Sequence, residues 1–122
     1  MNQILVVEDE VDMAATYERL LRRAGYRVVT AGSRAHGLQL LRSVRPTLVI
    51  SDLRLLDGDG LDVLRAACTL DPSPPVIIIT AFASRAARQA AFDSGACAFL
   101  AKPFGIIEFS DLIEDVMKRK GV

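Results

Sequence analysis

Residues 48–60 read LVISDLRLLDGDG. Leu48, Val49 and Ile50 follow one another with no polar alternation, which is the pattern of a strand covered on both faces of a sheet. The run then breaks into Asp52, Asp57 and Asp59, so an apolar strand ends in negative charge. Four further short runs share the apolar character: ILVV (4–7), RVVT (27–30), VIIIT (76–80) and AFLA (98–101), with the quoted strand spanning TLVIS (47–51). A helical pattern follows each of the five. Met13, Tyr17, Leu20, Leu21 and Ala24 fall on one face of the first helix, before Gly25. Leu38, Leu41 and Val44 mark the second, which Pro46 ends. Leu61, Leu64 and Ala67 mark the third, closed by DPSPP (71–75). The fourth runs from about Ser84 to Asp93, ahead of Gly95, and the fifth turns Phe109, Leu112, Ile113 and Val116 inward. Five strands separated by helices predict a parallel α/β sheet buried on both sides.

A chain of 122 residues is one domain's worth of core, and we find no linker, low-complexity tract or second module within 1–122. Fifteen basic and fifteen acidic side chains cancel. The overall charge therefore draws the protein toward neither nucleic acid nor an anionic membrane, and any charge chemistry has to be local. The cysteines, Cys68 and Cys97, lack metal-ligand spacing and read as reduced, packed thiols rather than a disulfide. MNQILVVEDE carries no cationic leader, and no apolar stretch reaches the ~18 residues of a membrane span. The expectation is a soluble, unprocessed, cytoplasmic protein.

In an open parallel sheet, ligands bind beyond the carboxyl ends of the strands. The first strand exits into Glu8 and Asp9, the third into Asp52, the fourth into Thr80 and the fifth into Lys102 and Pro103. Two carboxylates ~4 Å apart repel by roughly 4 kcal/mol at an effective dielectric of 20, so a shared site needs neutralising charge. An all-oxygen set of Glu8, Asp9 and Asp52 suits a hard divalent cation, and magnesium accepts one or two carboxylates together with phosphate oxygens. Lys102 adds a compact charge on a flexible stem and Thr80 a hydroxyl donor. Nucleophilic carboxylate, metal, cation and hydroxyl are the parts needed to accept a phosphoryl group, with Asp52 as acceptor.

ILVVEDE, VISDLRLLDGDGLDVLR, VIIITAFA and AFLAKPF, in this order and at these spacings, resemble the receiver domain of two-component response regulators of the chemotaxis-regulator type. The resemblance spans about residues 3–118. It implies a flavodoxin-like, doubly wound (βα)5 fold with strand order 2-1-3-4-5. It also implies that Asp52 takes a phosphoryl group from the phosphohistidine of a sensor histidine kinase or histidine phosphotransfer protein. Magnesium would be held by Asp9, Asp52 and the Arg54 backbone carbonyl, with Glu8 assisting through a water. Thr80 and Lys102 would bind the phosphoryl oxygens. Thr80 and Phe99 would form the switch that alters the face of helix 4, strand 5 and helix 5, and so controls an output domain or downstream protein. A phosphorylation-dependent homodimer is within the family's repertoire; direct contact with nucleic acid or membrane is not expected. The chain would catalyse only its own phosphorylation and dephosphorylation, as a signalling protein rather than an enzyme. The resemblance implies a cis Lys102–Pro103 bond. Leu56 stands where the family often has proline, and Phe99 lacks the hydroxyl of the frequent tyrosine. Arg54 and Phe82 flank the acceptor at positions that influence phosphate lifetime, and bulky Phe82 is expected to hinder attacking water. The chain ends at Val122, which fits either a free-standing regulator or the first domain of a longer one.

Plainer readings compete at single positions. Glu8, Asp9, Glu10 and Asp12 also suit a helix N-terminus, Thr80 a strand, and Lys102 a solvated surface. Asp57 and Asp59 fit turns and caps. His36, the sole histidine, is expected at the surface, KRK (118–120) at a solvated helix end, and Ile106 and Ile107 in the core rather than at a partner. Three other functions share parts of the pattern. A flavin-binding protein needs a phosphate-welcoming first loop, which VEDEVD (7–12) is not. A phosphatase of the haloacid-dehalogenase family places a second acid where Arg54 stands. A scaffold that no longer takes phosphate would not need the complete site.

Overall fold

The computed structural model describes residues 3–121, and the side chains of residues 3–119. The chain alternates β1 (Gln3–Val7), α1 (Val11–Arg23), β2 (Arg27–Ala31), α2 (Arg34–Val44), β3 (Leu48–Asp52), α3 (Gly60–Cys68), β4 (Val76–Thr80), α4 (Arg85–Asp93), β5 (Ala98–Ala101) and α5 (Ile106–Gly121). The five strands form one parallel sheet in the order β2-β1-β3-β4-β5. This is the five-stranded, doubly wound flavodoxin-like fold expected from the sequence. Between β3 and α3 lies a feature the periodicity did not announce, a hairpin pairing Arg54–Leu55 with Gly58–Asp59.

Alternate residues of each strand point to opposite faces, and the core divides accordingly. Ile4, Val6, Ile50, Ile77 and Ile79 pack with Tyr17, Leu21, Phe109, Ile113 and Val116 of α1 and α5. Leu5, Val7, Val49 and Ile78 pack with Leu41, Val63, Leu64, Ala67 and Ala91 on the other side. Each fully buried aliphatic side chain is worth roughly 1.5–3 kcal/mol, so β3 and β4, buried at every position, anchor the domain. On the α1–α5 side Tyr17 stacks on Phe109 at 5.5 Å and on Phe104 at 6.0 Å.

Three expectations need correction. Ile106 and Ile107, in the first turn of α5, are 64% and 76% exposed rather than in the core. Cys68, at the last turn of α3, is exposed rather than packed. Ala24 is exposed as the residue capping α1. Asp57 sits in the turn of the hairpin and caps a helix, as expected, though the helix is α2: its two carboxylate oxygens accept from Arg34 N (2.7 Å) and Ala35 N (3.0 Å). His36 is exposed, and Lys118 and Arg119 are solvated, paired with Glu114 and Asp115 one turn back. The Lys120 side chain lies outside the described residues. Among those residues no helix is long and apolar enough to cross a membrane.

Candidate functional site

Register brings the polar groups together. Val7 pairs with Ser51, Asp52 with Ile79 and Thr80 with Ala101. Glu8, Asp52, Thr80 and Lys102 therefore leave the sheet at the same edge, each delivered by an apolar strand.

Lys102 ties this edge together. Its Nζ donates to Glu8 Oε1 at 2.9 Å and to Asp52 Oδ2 at 2.8 Å. Glu8 is 3% exposed and Asp52 9%. The other oxygens are held too: Asp52 Oδ1 accepts from Arg54 N at 3.0 Å, and Glu8 Oε2 from Glu10 N at 3.2 Å. Burial raises the Glu8 pKa above its ordinary value, against the opposing pull of Lys102 and the Glu10 N–H. Burial works to lower that of Lys102, but hydrogen bonds to Asp52 and Glu8 outweigh it and the pKa is raised, so the ammonium stays charged. The Lys102–Pro103 bond is cis.

Asp9 is held apart from this pair. Its Oδ2 accepts from Leu56 N at 2.6 Å, which fastens the start of α1 to the loop after Asp52. Among the described residues no three acids, histidines or cysteines cluster as a metal group. What converges is the pair Glu8 and Asp52 on a lysine, with Asp9 on the adjoining loop. Thr80 is fully buried and its Oγ1 accepts from Phe82 N at 3.1 Å, which leaves its own hydrogen free to donate. Phe99 is half-buried on β5, and the Arg88 guanidinium lies 5.7 Å from its ring centroid. Across the mouth, the Arg54 guanidinium stacks 4.0 Å from the centre of the Phe82 ring.

Two residues matter here that the sequence reading passed over. Gly60 opens α3, and its N–H donates to Leu53 O at 2.8 Å; a Cβ at this position would run into the Asp52 carbonyl oxygen. The DG at 59–60 marked a helix start, and Asp59 does cap it by accepting from Leu61 N at 2.8 Å, but nothing local announced the close approach to β3. Tyr17 is 2% exposed and its hydroxyl has no hydrogen-bond partner, a condition that costs about 1–3 kcal/mol. Burial pushes its pKa up to about 12.

Residues 4–114 match the family model for the response regulator receiver domain. The transcriptional regulatory protein PrrA of Mycobacterium tuberculosis is 33% identical over 119 residues, which cover 98% of this chain and 51% of that protein. ZraR of Klebsiella oxytoca, also a transcriptional regulatory protein, is 41% identical over 103 residues, 82% of this chain and 23% of its own. The chain thus spans about half the length of the first relative and less of the second. The non-phosphorylated HemR receiver domain from Leptospira biflexa superposes with a TM-score of 0.89 at 33% identity, covering 96% of this chain and 94% of that one.

Proposed function

The chain belongs to the response regulator receiver domain family, and from that premise we propose that it accepts a phosphoryl group on Asp52 from the phosphohistidine of a sensor kinase or phosphotransfer protein. The observation that carries this reading is the buried Asp52 carboxylate held by Lys102 at the carboxyl edge of the sheet. An Asp52 oxygen attacks phosphorus and forms the acyl phosphate; the P–N bond breaks, and its electron pair leaves with the imidazole nitrogen, which takes up a proton. Lys102 follows the incoming phosphoryl oxygens because its stem is flexible and its charge fixed, and Thr80 has a hydroxyl hydrogen to give.

The donor set fits magnesium: carboxylates of Asp9 and Asp52 with the Arg54 backbone carbonyl, and Glu8 through a water, all oxygen, beside a loop that Asp9 already holds. When bound, the ion neutralises charge on the transferring group. Lys102 pairs with both buried acids. Thr80 and Phe99 form the switch, and the face of α4, β5 and α5 addresses an output domain or downstream partner in the cytoplasm. Phosphate selects a conformation of this face rather than creating one.

Incubation with a small phosphodonor and magnesium, followed by intact mass spectrometry, tests the assignment. One phosphoryl mass is expected on the native chain and none on Asp52→Asn; equal modification of both would place the acceptor elsewhere.

A further inference from the structure

Tyr17 carries a hydroxyl that its packing does not need. Its ring lies in a stack with Phe104 and Phe109 whose centroids are 5.5–6.0 Å apart, and phenylalanine would fill that place equally well. Yet the Tyr17 hydroxyl is buried and, among the described residues, is the one buried side-chain polar atom without a partner. Lys102 presents the complementary surplus. An ammonium has three N–H donors, and the side chains of Glu8 and Asp52 take two. Both residues line the same cavity of about 270 Å³, whose wall also includes Glu10, Met13, Thr16, Pro103 and Phe104.

We propose that Tyr17 is a positioning residue for Lys102: its hydroxyl accepts the third ammonium N–H, directly or through one water, when the lysine turns from the carboxylates to a phosphoryl group. This rests on Asp52 being the acceptor. Phosphorylation exchanges one acceptor of Lys102 for a phosphoryl oxygen. A third acceptor restricts where the ammonium settles, and a positioned charge stabilises the transferring group better than a wandering one. A phenol suits the task because it accepts without adding negative charge, and burial keeps it protonated.

Tyr17→Phe keeps the ring and removes only the acceptor. With a small phosphodonor and magnesium, the limiting rate of Asp52 phosphorylation should fall about tenfold, the scale of a charge present but misplaced, while the half-saturating donor concentration holds. A second measurement is made on the native chain and does not depend on a variant folding. The ¹³Cζ resonance of Tyr17 should move when beryllium fluoride, a tetrahedral mimic of a phosphoryl group on a carboxylate, is added with magnesium, and Lys102→Met should abolish that movement. An unchanged limiting rate in Tyr17→Phe, or a resonance indifferent to beryllium fluoride in the native chain, overturns the assignment. Absence of any phosphorylation at Asp52 in the native chain overturns the acceptor reading itself, and the positioning role with it.

Discussion

The helices that follow β3 and β4 are each nine residues long and flank the same face of the sheet, yet they are held by different physics. In α3, Gly60, Leu61, Val63, Leu64 and Ala67 are buried; in α4 only Ala91 is. The sequences say why. GLDVLRAAC places branched apolar residues toward the core, whereas RAARQAAFD has four alanines and little to bury. Alanine gives α4 helix propensity without tertiary anchorage, and a Ser84 cap on Ala87 N starts it. The loops differ in the same sense. The one before α3 is a hairpin fastened to Asp9 and to the start of α2, while Ala81, Phe82 and Ala83 before α4 are exposed. The Asp52 side of the site is thus fixed and the Thr80 side loosely docked.

Leu64→Ala would strain this contrast most. It removes a fully buried side chain from α3 and should cost about 2–5 kcal/mol in urea unfolding, while no single truncation in α4 should approach that. An α4 variant equally costly would erase the distinction. Gly60→Ala comes next. The added methyl meets backbone rather than a yielding side chain, so a loss of about 1–3 kcal/mol is expected. Because the displaced atom is the Asp52 carbonyl, phosphorylation should slow along with it; a folded variant of native reactivity would mean the loop has slack.

Asp57 tests the fastening of the hairpin to α2, with a smaller effect. Hydrogen bonds from Arg34 N, then Ala35 N, lower its pKa below 3.8. A folded-state pKa below the unfolded one means stabilisation that is present above the unfolded value and lost as pH falls through the folded one. The native chain should therefore outlast Asp57→Asn at neutral pH, and the gap should close below the ordinary aspartate range. Urea midpoints at both conditions check it, and a gap independent of pH would mean that charge plays no part.

The strands and the acceptor edge were legible because each rests on a local signal: an apolar run names a strand, and the polar residue that ends it names a site position. The parallel pairing then carries Glu8, Asp52, Thr80 and Lys102 to the same edge, and Glu8 and Asp52 converge there on Lys102. What escaped depends on partners distant in sequence. Asp57 reads as a turn residue until α2, more than twenty positions earlier, is found waiting for it. Gly60 reads as a turn glycine until the chain doubles back on Asp52. Ile106 and Ile107 read as core because they are large and apolar, but residue type alone does not say which face of the first turn of α5 they take, and both are exposed. The Asp9 carboxylate follows its strand to the right edge yet spends its oxygen on Leu56 N, a choice no spacing rule contains.

Phe82→Ala should disturb the fold least and separate the two halves of the site most clearly. The ring is 52% exposed, so truncation should shift stability by no more than about 0.5 kcal/mol. Its position is nevertheless strategic. Phe82 N donates to Thr80 Oγ1 while its ring carries the Arg54 guanidinium, whose own backbone N–H donates to Asp52. The stack thus bridges the acceptor loop and the hydroxyl loop across the mouth of the site. Water attacking an acyl phosphate on Asp52 has to pass it, so the alanine variant should lose its phosphoryl group several times faster than the native chain once excess donor is removed. An identical lifetime would show that the stack neither shields the acceptor nor couples the loops. A shortened lifetime in Arg54→Ala as well, with no further loss in the double variant, would identify the pair as a single barrier, since residues acting as one unit are not additive.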